Sequence, residues 1–133
     1  MPILHIFRGL PGSGKSTAAR KLAAETGAIL IEPDMLLVED GKYQYTPGRF
    51  AAAFASALNL VYNISAQCYA DIIFADCLPR TMEVDKVIAN ISGIYEVVVH
   101  DLKITPEESK LRNLHNVRPE DIDRMAQAWE DWE

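Results

Sequence analysis

Short apolar runs ended by glycine or proline alternate along this chain with longer stretches in which apolar residues recur every three or four positions. Pro2 to Phe7, with Ile3, Leu4, Ile6 and Phe7, reads as a buried strand, and Ser16 to Glu25, with Ala18, Ala19, Leu22 and Ala23, as a helix stopped at Thr26-Gly27. Ala28 to Ile31 is a second short strand, and Pro33 takes the chain out of pairing so that Asp34 sits in a loop just past the strand end. Residues 39–49 read as a polar loop with a turn at Asp40-Gly41. Thr46 caps a long helix that opens on Pro47 and runs to about residue 69. Its Phe50, Phe54, Ala57, Val61, Ile64 and Cys68 form one apolar stripe expected in the core.

The alternation continues. Asp71 to Asp76 is a third buried strand ending in a carboxylate, Arg80 to Ser92 a helix ended by Gly93, and Tyr95 to Leu102 a strand built on Val97, Val98 and Val99. Thr105-Pro106-Glu107-Glu108 reads as a capping box that opens a short helix, and Pro119 opens a last helix with Ile122, Met125, Trp129 and Trp132 on one side. Alternating strands and helices require crossovers and a parallel sheet. The expectation is one α/β domain over residues 1–133, in three layers, with four or five parallel strands and a C-terminal helical lid over about 105–119.

The connection after the first strand changes the picture most. Gly9-Leu10-Pro11-Gly12-Ser13-Gly14-Lys15-Ser16-Thr17 satisfies G-x-x-x-x-G-K-[ST], between a strand and a helix as that pattern requires. Such a loop turns successive backbone N–H groups toward one point at the positive end of the following helix, which suits phosphate. Lys15 would reach the β- and γ-phosphates of ATP, and the Ser16 hydroxyl would hold Mg²⁺. Asp76, at a strand tip, occupies the position of a second metal-side group, and Asp34 lies at the sheet edge where ligands of open parallel sheets bind. Arg112 and Arg118 are the candidates for neutralising a leaving phosphoryl group. His115 reads as a loop hydrogen-bonder, and His5 and His100 as strand histidines with no motif around them.

Composition narrows the class. With 133 residues, 49% apolar and 24% charged, the chain has the make-up of a globular domain, and it holds no apolar run of membrane-spanning length. Two cysteines, and only Met1 and Pro2 ahead of the first strand, lead us to expect a reduced, cytoplasmic protein. A net charge of −6 argues against a broad electrostatic nucleic-acid surface.

The stretch Gly9 to Thr17, together with Glu32-Pro33-Asp34, Asp40-Gly41-Lys42-Tyr43, Ala75-Asp76, Arg112-Asn113, Asn116-Val117 and Arg124-Met125, resembles the small P-loop kinases of the AAA-type NTPase superfamily. Those include the kinase domain of bacteriophage polynucleotide 5′-hydroxyl kinase and the NEDD4-binding-protein-2-type kinases. The resemblance implies that Asp34 is the general base toward an attacking hydroxyl and that a lid arginine, most simply Arg112, stabilises the transferring phosphoryl. The implied acceptor is a 5′-hydroxyl nucleic-acid end. A nucleoside, nucleotide or other small hydroxyl substrate is the alternative, and a non-catalytic nucleotide-dependent interaction protein the third reading. Met35 to Val38 stand where the phage enzyme has a phosphate-reading arginine, Arg118 is inserted before Pro119, and no companion phosphatase domain is expected.

Overall fold

In the computed structural model, which describes residues 1–113 and 117–132, the strands β1 (Ile3–Arg8), β2 (Ile29–Ile31), β5 (Ile72–Asp76) and β6 (Glu96–Asp101) form one parallel sheet in the order β2-β5-β1-β6. A separate antiparallel pair, β3 (Val38–Glu39) and β4 (Lys42–Tyr43), makes a small hairpin. The helices are α1 (Lys15–Thr26), α2 (Pro47–Gln67), α3 (Thr81–Ala89), α4 (Pro106–Leu111) and α5 (Pro119–Ala128), with a 3₁₀ turn at Pro33–Leu37. The expected α/β class and parallel sheet are thus present, with four strands.

Alternate residues of each strand supply two cores. Leu4, Ile6, Ile31, Ile72 and Phe74 meet Ala57 and Val61 of α2 and Val84 and Val87 of α3. On the opposite face Phe7, Ile73 and Ala75 meet Ala19 of α1 and Ala28. These are the three layers. The strand ends matter for the site: Arg8 of β1 lies opposite Asp76 of β5 and Asp101 of β6, and β2 stops at Ile31, opposite Phe74.

Several boundaries differ from expectation for physical reasons. Asp34 lies in the 3₁₀ turn, because Pro33 starts a helical turn as readily as it ends a strand. Residues 38–43 are a hairpin rather than a loop: Asp40 and Gly41, at φ of 52° and 76°, make the two-residue turn whose twist matches paired strands. In α2 the buried line is Ala53, Ala57, Val61 and Ser65, whereas Phe50, Phe54 and Ile64 are half-buried and Cys68 is exposed. Small side chains let the helix approach the sheet, and the aromatic rings pack along its flank. Helix α5 stops at Ala128, so Trp129 and Trp132 follow the helix rather than sit on it. Thr105 accepts from the Glu108 N–H at 3.1 Å, and Thr46 accepts from the Arg49 N–H at 3.0 Å, as the caps require.

Arg8 is fully buried and ties the strand ends to the C-terminal segment. Its guanidinium donates to the carbonyls of Leu78 (2.7 and 3.0 Å) and Pro79 (3.2 Å), pairs with Asp101 at 3.2 Å, and stacks 4.2 Å from the Trp129 ring. Removing one partner of a buried pair leaves the other uncompensated, so Arg8→Met is expected to cost about 3–5 kcal/mol in urea unfolding. A loss below about 1 kcal/mol would show that these bonds add little over solvent.

His5 and His100 lie on adjacent strands, His5 Nδ1 3.0 Å from His100 Nε2, with His100 stacked on Phe7 at a 4.2 Å centroid distance. Burial lowers the pKa of His5, opposed by Asp71 and Glu96, and burial followed by the His5 charge lowers that of His100. Both therefore titrate lower in the folded chain than unfolded, and their stabilising contribution is lost as pH falls below about 6.5. His100→Gln is expected to flatten the decline in melting temperature between about pH 7 and pH 5. An unchanged slope would remove the pair from the account.

Candidate functional site

The loop after β1 is shaped by glycines. Gly12 and Gly14 have φ of 76° and 91°, a region that side-chain-bearing residues avoid, and Gly14 is the N-cap of α1. At Gly9 a Cβ would run into the Ser13 side chain and lie 2.8 Å from the Leu102 carbonyl oxygen. The Ser13 hydroxyl is buried, with no hydrogen-bond partner among the described residues. An orphaned donor at the N-terminus of α1 fits an anionic ligand such as the ATP phosphates.

Lys15 opens α1 and is only 8% exposed. Burial pulls its pKa down, but Cys77, Asp76 and Asp34 outweigh that, leaving it above the ordinary lysine value. Asp76 is buried at the end of β5 and accepts the Cys77 backbone N–H at 2.8 Å. Burial and then the neighbouring Asp34 charge push its pKa up to about 7. Burial likewise pushes the Cys77 thiol up to about 12, so it is neutral at physiological pH. One ammonium thus stands among two carboxylates that repel each other.

Two contacts hold Asp34. Arg20 of α1 donates to the buried Glu32 carboxylate at 3.1 and 3.3 Å, fixing the chain two residues before it. From the hairpin, Tyr43 donates its hydroxyl to Asp34 Oδ1 at 3.1 Å, and burial followed by the Asp34 charge raises the tyrosine pKa. Among the described residues Asp34 takes no other hydrogen bond, so its second carboxylate oxygen can take another donor. Glu32 and Tyr43 stood in the sequence only as parts of the stretches that carry the family resemblance, and neither they nor Arg20 was given a role; an arginine on the helix after a phosphate loop and a glutamate just before Pro33 were the available signals.

Lys15, Asp34 and Asp76 are therefore brought together, with Ser16 next to Lys15 in the first turn of α1 and Thr17 exposed beyond it. The two arginines are placed differently. At Arg112 the backbone and Cβ pack on Gly12, while the guanidinium is exposed and 3.7 Å from Glu108. Arg118 is exposed and bound to Asp121 at 3.1 Å, which Arg124 also reaches at 3.0 Å, so the structure does not bring it into the cluster. His115 and Asn116 lie outside the described residues. The cysteines Cys68 and Cys77 are both free thiols.

Two cavities open among the described residues, neither of them lined by Lys15, Asp34 or Asp76. A groove of about 380 Å³ separates the 3₁₀ turn and the hairpin from α2, lined by Leu36, Leu37, Gln44, Arg49, Ala53 and Ser56; Arg49 lies 3.7 Å from Glu39 there. A second, of about 240 Å³, lies between Leu10, Leu102, Ile104 and Trp129.

This geometry can be set beside known proteins. Residues 4–131 match the model of the AAA domain family. The chain belongs to that family. Human NEDD4-binding protein 2 is similar to this AAA domain, 29% identical over 96% of the chain, which spans 8% of that protein's length. Among solved structures, one chain of the Pnkp1/Rnl/Hen1 RNA repair complex superposes with a TM-score of 0.76 at 18% identity, over 96% of this chain and 43% of that one. A gluconokinase from Sinorhizobium meliloti 1021 superposes with a TM-score of 0.70 at 17% identity, over 98% of this AAA domain and 76% of its own chain. The fold is that of the P-loop kinases. No helix among the described residues is long and apolar enough to cross a membrane.

Proposed function

We propose that this domain is an ATP- and Mg²⁺-dependent phosphotransferase that moves the γ-phosphoryl to a hydroxyl, that of a polynucleotide 5′ end. The observation that carries the reading is the convergence of Lys15, Asp34 and Asp76 at the mouth of the phosphate loop. Lys15 neutralises charge on the phosphates, and Asp34, held through one oxygen by Tyr43, takes the proton from the attacking hydroxyl with the other. Ser16 and Asp76 would hold Mg²⁺, which when bound neutralises phosphate oxygens. The cavity beside Leu10 and Trp129 is sized for part of the nucleotide, and Arg112, whose backbone already packs on the loop, is the arginine best placed to reach the transferring group.

The likeness to a chain of an RNA repair complex supports a nucleic-acid end as acceptor. A small hydroxyl metabolite is the second reading, favoured by the apolar lining of the groove at Leu36, Leu37 and Ala53 and by the gluconokinase likeness. Labelled ATP, offered with a 5′-hydroxyl oligonucleotide and in parallel with a panel of nucleosides and sugars, separates them. Label on the oligonucleotide alone is expected. Label on a small compound alone would transfer the assignment to it, and tight nucleotide binding with no acceptor labelled would point to an interaction protein.

A further inference from the structure

We propose that Ser109 is a positioning residue for the phosphate loop: its hydroxyl holds the Pro11 carbonyl outward, which aims the Gly12 N–H into the loop where the triphosphate binds. The inference rests on the nucleotide-binding part of the reading above.

Ser109 is fully buried, and its hydroxyl donates to the Pro11 carbonyl at 2.6 Å across 98 residues of sequence. A serine inside a helix ordinarily turns its hydroxyl to the carbonyl four residues back. Here that carbonyl, of Thr105, receives the Ser109 backbone N–H, and the hydroxyl goes to the loop instead. One residue on, a Cβ at Gly12 would lie 2.7 Å from the Arg112 Cβ and 2.8 Å from its carbonyl oxygen. Helix α4 and its C-cap residue Arg112 therefore touch the loop at two successive residues.

The peptide plane turns that contact into a consequence for phosphate. Across a trans peptide, the carbonyl of one residue and the N–H of the next point in opposite directions. With the Pro11 oxygen fixed toward α4, the Gly12 N–H faces away from α4. Gly12, lacking a Cβ, has backbone freedom that would let this peptide turn over, so the orientation needs an external hold. Without the Ser109 hydroxyl the Pro11 oxygen is either left buried and unpaired or rotated toward the anion, where it repels phosphate. The seat of α4, which carries Arg112, and the donor set of the loop are thereby one mechanical unit.

The test is the affinity of the whole domain for a non-hydrolysable ATP analogue, with Ser109→Ala compared with Lys110→Ala. The second variant breaks the 2.8 Å ion pair from α4 to Asp123, loosening the same helix without touching Pro11. Ser109→Ala is expected to weaken the analogue by about tenfold, the scale of a hydrogen bond to a charged group, and Lys110→Ala by less than about twofold. Unchanged affinity in Ser109→Ala, or equal losses in both, would overturn the proposal. Should Ser109→Ala not fold, Ser109→Cys, a weaker donor of similar size, is expected to bind with intermediate affinity, and wild-type affinity there would overturn the proposal as well. No acceptor enters these measurements, so a failure to find one leaves the result standing. Absence of triphosphate binding by the unaltered domain would defeat both readings.

Discussion

Asp34→Asn is expected to slow phosphoryl transfer by about a hundredfold or more while leaving nucleotide affinity intact, because it removes the positioned base and little else. The amide keeps the shape and still accepts the Tyr43 hydroxyl seen at 3.1 Å, so the hairpin stays seated. It loses the oxygen lone pairs and charge that draw a proton from an incoming hydroxyl. The change also has an electrostatic side effect with a known sign. Asp34 is the charge that, after burial, raises the Asp76 carboxyl to about 7, and removing it lets Asp76 ionise more readily. A loop facing one fewer carboxylate repels a triphosphate less, so binding of the ATP analogue is expected to be equal or tighter. Single-turnover transfer and equilibrium binding measured on the same preparation check both halves. Turnover within a few-fold of the unaltered domain would remove Asp34 as the base, and binding weakened in parallel would make it a nucleotide contact instead.

How much of this site was legible in the chain depended on whether the information was local. The phosphate loop could be read whole, since its glycines, Lys15 and Ser16 stand at fixed spacings within one short stretch, Gly9 to Thr17. The four sheet strands could be read as well, because a short apolar run between breakers has few other uses. Asp34 and Asp76 followed from the geometry of open parallel sheets, whose strand ends gather ligands.

What escaped was every contact made across the topology. Ser109 to Pro11, Arg8 to Leu78 and His5 to His100 join residues far apart in sequence, and periodicity carries no information on which strand lies beside which. Arg8 still left a trace, an arginine ending an apolar strand, but its partners depend on β5 and β6 flanking β1. The hairpin is a different case. Asp40-Gly41 between Val38 and Tyr43 is a two-residue turn signal of the kind paired strands use, and the strands are too short to show alternation. In α2 the stripe read from the sequence took in Ala57 and Val61 beside the aromatic residues but passed over Ala53, and the small size of the two alanines is what lets the helix lie close to the sheet.

Lys15→Ala is expected to have the largest effect of any substitution, roughly a thousandfold or more on transfer, because the residue acts on both partners of the reaction. It supplies the positive charge for the phosphates, and it is also the cation that offsets Asp76 and Asp34, both of which bear on its own raised pKa. Without it the two carboxylates face each other in a buried site. Asp76, already shifted to about 7, is driven further toward its protonated form, which accepts a cation poorly. Phosphate affinity and the metal side of the site then fail together, and extra Mg²⁺ is not expected to restore the rate. Lys15→Arg is not expected to rescue it either, since a guanidinium is broader and forked where the ammonium is compact, and the position is only 8% exposed. The fold should persist, since no core side chain is touched, so circular dichroism and melting temperature distinguish lost chemistry from lost structure. A folded Lys15→Ala domain that turned over within about tenfold of the unaltered one would mean that the loop does not act on a transferring phosphoryl group.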